Sequence, residues 1–319
     1  MDVEYVRDLE VKLGAIGNDL DGALGLYHGT AGLCICYFLL SGIAVDRELC
    51  LQKARALMDE LSDNIHKVDS LSFDDGLAGI GWAVEWLSRN NYIEADTNEI
   101  LADLDDELYR SVVYSKAGDI SLFTGTLGRA MYFYRRLTAE KYPQDRYRRL
   151  CNQECLVLLT DEINDYLGNE EKGLLTVVGD DDLAQLSAAQ IRGLAQCLLF
   201  LTSILSSGIN SEVVQSLICR STGLVSRSRP PADISGDRHW HAAHKYLLYA
   251  LYKAGVCLKE LEWAGRAIEF YPEISAFQDQ MLKAPDGSCS NFGRIFDWLS
   301  LFASTGSRMS HSWCEGWLL

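Results

Sequence analysis

Three stretches of the chain share one design, and their spacing limits what it can fold into. Gly25-Leu-Tyr-His-Gly-Thr-Ala-Gly32 leads into an apolar run over 33–40, and Asp75-Gly-Leu-Ala-Gly-Ile-Gly81 leads into another over 82–87. Thr124-Gly-Thr-Leu-Gly128 leads into a third, 129–137. Gly29 and Gly76 are 47 residues apart, and Gly76 and Gly125 are 49. A period of this size suits a pair of helices that must stack on neighbouring pairs to bury its apolar face.

Weaker echoes continue the series. Ala189 to Gly193 precedes an apolar run to Leu205, His239 to Tyr252 forms another, and Asn291-Phe-Gly-Arg294 leads into 295–302. Six apolar helices are predicted. Charged, amphipathic segments alternate with them over 48–65, 98–113, 144–167 and 259–282, with 3–16 as the first of that set. Only five prolines interrupt the chain, which suits helices that an interior proline would kink. Apolar helices inside and amphipathic ones outside predict an all-α fold. The expected form is an α/α toroid of six to seven helical hairpins, one domain over 1–319.

The glycines have a physical reason to sit where the inner helices begin. Gly25, Gly29, Gly32, Gly76, Gly79, Gly81, Gly125 and Gly128 permit tight turns and close backbone approach where helix ends crowd together. Helix N-termini gathered on one face also predict a positive partial charge there, suited to an anionic ligand. Two polar stretches, 168–182 and 221–236, read as loops, the second with Arg227, Arg229 and Pro230-Pro231 as a lid or surface arm.

The formal net charge of -16 argues against nucleic acid as partner, since no positive field exists to release counterions. The cluster Arg135, Arg136, Arg146, Arg148 and Arg149 reads as a solvated helix face. Most of the ten cysteines, Cys34, Cys36, Cys197 and Cys257 among them, sit in apolar helical runs, where a reduced thiol behaves as a small hydrophobe. Met1 to Glu4 shows no basic n-region, and no stretch of about 18 apolar residues is uninterrupted. The expectation is a cytoplasmic protein with no membrane segment.

The motifs at 25–32 and 75–82 resemble the glycine-rich repeats of the lanthionine synthetase C-like family, the lantibiotic cyclases, and the resemblance runs over about 20–140. It implies an α/α toroid acting on a peptide. In such cyclases a cysteine thiol joins a dehydrated serine or threonine to form a thioether. A zinc ion held by two cysteines and a histidine favours the thiolate, the nucleophilic form. Trp313-Cys314-Glu-Gly316 matches the family's Trp-Cys-x-Gly motif, but no Cys-His-Gly follows. Cys289 and His311 are the nearest candidates to join Cys314 as metal ligands. The incomplete set predicts a degenerate site, with zinc absent rather than bound, and leaves enzymatic activity open.

Other groupings remain in play. His239, His241 and His244 open a predicted inner helix, and His241 and His244 share a face, as acid–base residues or a metal-binding pair would. His28 reads as a helix-start histidine bonded to nearby backbone. Asp75 reads as a helix N-cap rather than, with Asp74, a magnesium ligand, and so does the cluster 180–182. The alternatives to peptide modification are a non-catalytic toroid that binds a peptide or a maturation partner, and an (α/α)6 glycoside-processing enzyme. The last needs two carboxylates across a cleft, for which Asp74, Asp75, Asp237 and Glu315 are available.

Overall fold

The computed structural model describes scattered positions over 7–17 and then 20–270, except 21, 28, 43, 45, 140, 143, 170–172, 178–182, 184–185 and 228–237. All regular elements among the described residues are helical. The inner helices are α1 (Thr30–Leu40), α3 (Leu77–Arg89), α6 (Thr126–Leu137), α9 (Ala188–Ile204) and α11 (Arg238–Leu258). The outer helices are α2 (Arg47–Asn64), α5 (Ala102–Tyr114), α7 (Arg146–Gly168), α10 (Ser211–Arg227) and α12 (Leu261–Phe270). Two single turns, α4 (Thr97–Ile100) and α8 (Leu174–Val177), lie between them.

Each inner helix packs on the next, α1 to α3 to α6 to α9 to α11, and also on the outer helix that follows it. The outer helices α5, α7, α10 and α12 touch in the same order. This is the predicted two-layer all-α toroid, with five of its hairpins among the described residues.

Burial follows the sequence pattern. Every residue of α1 is buried, whereas α2 buries only Cys50, Ala54 and Leu61. Residues 188–207 are long and apolar enough to cross a membrane by length and composition. Their apolar side chains are instead packed into the common core, as an inner helix requires.

The two layers begin their helices differently. Asp46 and Asp145 accept from the backbone N–H of Leu49 and Arg148, and so cap α2 and α7. In α1, α3 and α6 the N-cap is Gly29, Gly76 or Gly125, with no side-chain cap. Asp75 is therefore not the cap predicted for it; it precedes the capping glycine. At α9 the series changes: Ser187 and Gln190 form a reciprocal capping box, and Gly193 sits inside the helix rather than before it.

Two further expectations are corrected. Residues 221–227 are not a lid. They complete α10, an outer helix missed in the sequence, and Ser221 and Thr222 are fully buried. The arginine cluster is a solvated face only in part: Arg146 and Arg149 are exposed, whereas Arg135 and Arg136 are buried. Arg135 lies over the Trp82 ring, 5.2 Å from its centroid.

Arg136, at 0% exposure, joins three elements. Its guanidinium donates to Glu85 of α3 at 2.6 Å, and to Asp105 of α5 at 2.9 and 3.0 Å. Thr97 and Asn98 accept further bonds, and the Tyr132 hydroxyl donates to Asp105. Two buried carboxylates thus share one buried cation, every partner hydrogen-bonded, as burial of charge demands.

Candidate functional site

The lead-in loops of α1, α3 and α6 fold alike. Within each, a helix-start N–H returns to a carbonyl seven residues earlier: Thr30 to Ala23, Leu77 to Ser70, and Thr126 to Asp119, at 2.9–3.0 Å. Three residues past each N-cap stands Gly32, Gly79 or Gly128. A Cβ there would collide with the carbonyl oxygen of Leu26, Phe73 or Leu122 respectively, each six residues earlier. The loop lies flat against its own helix, and only glycine leaves room for it.

The loops also bond to one another. Leu26 and Tyr27 N–H donate to the Asp74 carbonyl at 2.7 and 2.9 Å, and Phe73 and Asp74 N–H to the Phe123 carbonyl at 2.7 and 3.3 Å. Gly79 and Gly128 receive the Cβ atoms of Leu26 and Phe73 from the preceding loop. Gly25 leaves room for Asp75 backbone, while Gly81 admits the Tyr132 ring of α6.

This geometry leaves fewer open donors than the expected anion site would use. Several of the first N–H groups of α1, α3 and α6 are already bonded to loop carbonyls, so they do not form an open row of donors. The face carries side chains instead. Tyr27 meets Phe123 edge to face at 4.8 Å between centroids, and Phe123 is exposed. Burial, then Tyr246 of α11 and Asp74, push the Tyr27 phenol pKa up, so it stays protonated. Tyr246 is shifted the same way, by burial and then Tyr249. Residues from the first and fifth described repeats are therefore close enough to interact electrostatically.

Such an arrangement of stacked loops on a ring of inner helices is what the repeat motif encodes, and the lanthionine synthetase C-like family model matches residues 22–229. The chain belongs to the lanthionine synthetase C-like family. Among curated proteins, none matches it. The match to the lanthionine synthetase C-like model extends through α9 and α10, well past the three clear glycine repeats.

The zinc that this family implies needs thiolate and imidazole donors that converge. No group of three or more His, Cys, Asp or Glu side chains that could hold a metal occurs among the described residues. Burial pushes Cys34, Cys36, Cys155 and Cys197 up, Cys197 to about 12, which keeps them protonated. Cys257, expected in an apolar run, is exposed, as is Cys219. Cys289, His311 and Cys314 lie outside the described residues, as do His28, Asp237, Glu315, 180–182 and the side chain of His239.

His241 and His244 are placed by α11. His241 is exposed, whereas His244 is 8% exposed and stacks on Trp240 at 5.0 Å between centroids. Burial, and secondarily His241, push the His244 imidazole down to about 4. In an unfolded chain it titrates at about 6.5. Between those values the unfolded state holds the proton and the folded state does not. Stability is therefore full above about pH 6.5 and falls toward pH 4, by at most about 3 kcal/mol. Urea midpoints in chelator-containing buffer should drop more between pH 7.5 and 5 for the wild type than for His244→Phe. Equal drops would show that His244 does not titrate this way.

The sequence reading did not single out Tyr27, Phe123 or Tyr246. The signal available was position: Tyr27 and Phe123 each stand two residues before a capping glycine.

Proposed function

We propose that this lanthionine synthetase C-like protein acts in peptide modification, binding a peptide across the loop face of its ring, with a degenerate zinc site. The observation that supports this is the stack of glycine-rich loops around Tyr27, Asp74, Phe123 and Tyr246. It offers an aromatic floor with a carboxylate and phenols. An extended peptide can pack side chains on the rings and give its amides to these polar groups. A cyclase site would have to draw on Cys289, His311 and Cys314.

The test is metal content by mass spectrometry on untagged protein, wild type against Cys314→Ala, with a dehydrated, cysteine-containing peptide assayed alongside. The expected result is peptide binding that Phe123→Ala weakens, without bound zinc and without thiol consumption. One zinc per chain that disappears in Cys314→Ala, with thioether formation in the wild type, would overturn the degenerate reading. Absence of any peptide binding would remove the peptide reading itself.

A further inference from the structure

Two imidazoles at the start of α11 take no part in the loop face and lie beyond the stretch that the family model matches. His241 and His244 are three residues apart, which puts them on one side of the helix. Both rings pack against the same indole. Trp240 lies 6.0 Å from His241 with the planes at 84°, and 5.0 Å from His244 with the planes at 12°. Trp240 is itself fixed, its Nε1–H donating to the Leu186 carbonyl at 3.2 Å.

Stacking, not hydrogen bonding, holds His244. Neither it nor His241 bonds to any described residue, although His244 is more than nine-tenths buried. The His244 nitrogens are not among the enclosed polar atoms left without a partner, so they stay open to solvent and to an incoming ion. Neutral imidazole nitrogen is a donor that late first-row divalent ions prefer.

We propose that His241 and His244 form a two-imidazole site for a late first-row divalent ion, with water completing the coordination. This is separate from any thiolate zinc site, since it contains no sulfur, and it does not depend on peptide binding. The helix N-terminus beside it disfavours a cation by roughly 0.3–1 kcal/mol. The net charge of -16 acts the other way by raising the local cation concentration. Copper binds such donors more tightly than nickel, and nickel more tightly than cobalt or manganese.

Nickel is the better probe, because copper would oxidise the exposed thiols Cys219 and Cys257. Calorimetric titration of untagged protein with Ni2+ should be run with tryptophan fluorescence, since a paramagnetic ion at this pair quenches Trp240. The variants are His241→Ala, which changes an exposed side chain, and His244→Phe, which keeps the stack on Trp240. Expected is one Ni2+ per chain, with quenching, and a loss of affinity of at least about tenfold in each variant. Mn2+ should bind far more weakly. Unchanged affinity and quenching in His241→Ala, or no saturable binding by the wild type, would overturn the site.

Discussion

Replacing Arg136 with methionine should destabilise the protein by about 3–5 kcal/mol, because Glu85 would be left buried without a cation and Asp105 with only Arg148, 3.6 Å away. Both carboxylate side chains are nearly inaccessible, at 2% and 3% exposure. The contrast is Arg55, whose pair with Glu48 is solvent-exposed on α2 at 3.5 Å. Its loss should cost less than about 1 kcal/mol. Urea unfolding of the two variants reads the difference directly. Adding Glu85→Gln and Asp105→Asn to Arg136→Met should recover part of the loss, since neutral side chains are cheaper to bury than unpaired charge. If Arg136→Met and Arg55→Met behaved alike, the buried network would not be holding α3, α5 and α6 together.

Two glycine-to-alanine changes should move stability in opposite directions. In Gly79→Ala the new methyl meets the Phe73 carbonyl oxygen, and lies 2.9 Å from both the Phe73 carbonyl carbon and Leu26 Cβ. Backbone would have to shift, at a cost of about 1–3 kcal/mol or more. Because the Phe73 N–H also bonds to the Phe123 carbonyl, the change should disturb Phe123 and weaken peptide binding as well. Gly193 is the opposite case. It lies within α9, and the nearest atom to an added methyl is Ile120 Cγ2 at 3.8 Å, an ordinary contact. Gly193→Ala should therefore stabilise by about 0.5–1 kcal/mol, the helix preference for alanine. Thermal unfolding of both variants checks this. A Gly79→Ala protein as stable as the wild type would mean that the loop is free to move off its helix.

How far the sequence revealed this structure depends on what each residue encodes. Period and apolar runs identified α1, α3 and α6, since each helix advertises itself by a glycine pair and continuous burial. Outer helices with one apolar stripe, such as 47–64 and 146–168, were also legible. The helix α10 was not, because the serines and threonines at 221–227 resemble a loop until Ser221 and Thr222 are seen buried. The arginines misled for a similar reason. Charge reads as solvent exposure unless the partners are known, and those of Arg136 lie 31 and 51 residues away at Asp105 and Glu85. At the candidate site, the glycine positions were legible, whereas the bonding of the helix-start N–H groups was not. No local pattern shows that those N–H groups are bonded by their own loops. The approach of Tyr27 to Tyr246 depends on the ring bringing distant repeats together, which a single sequence does not display.

The Arg136 network carries a consequence for how such a chain can evolve. Solenoids with self-contained repeats gain or lose whole units because each contacts its neighbours through interchangeable surfaces. Here the carboxylates belong to the second described hairpin and the cation to the third. Deleting or duplicating either hairpin would strand a buried charge. The junction between them is a lock, so changes in repeat number must occur elsewhere in the ring. The same lock makes these two hairpins a single inherited unit, free to drift at the surface but not to be parted.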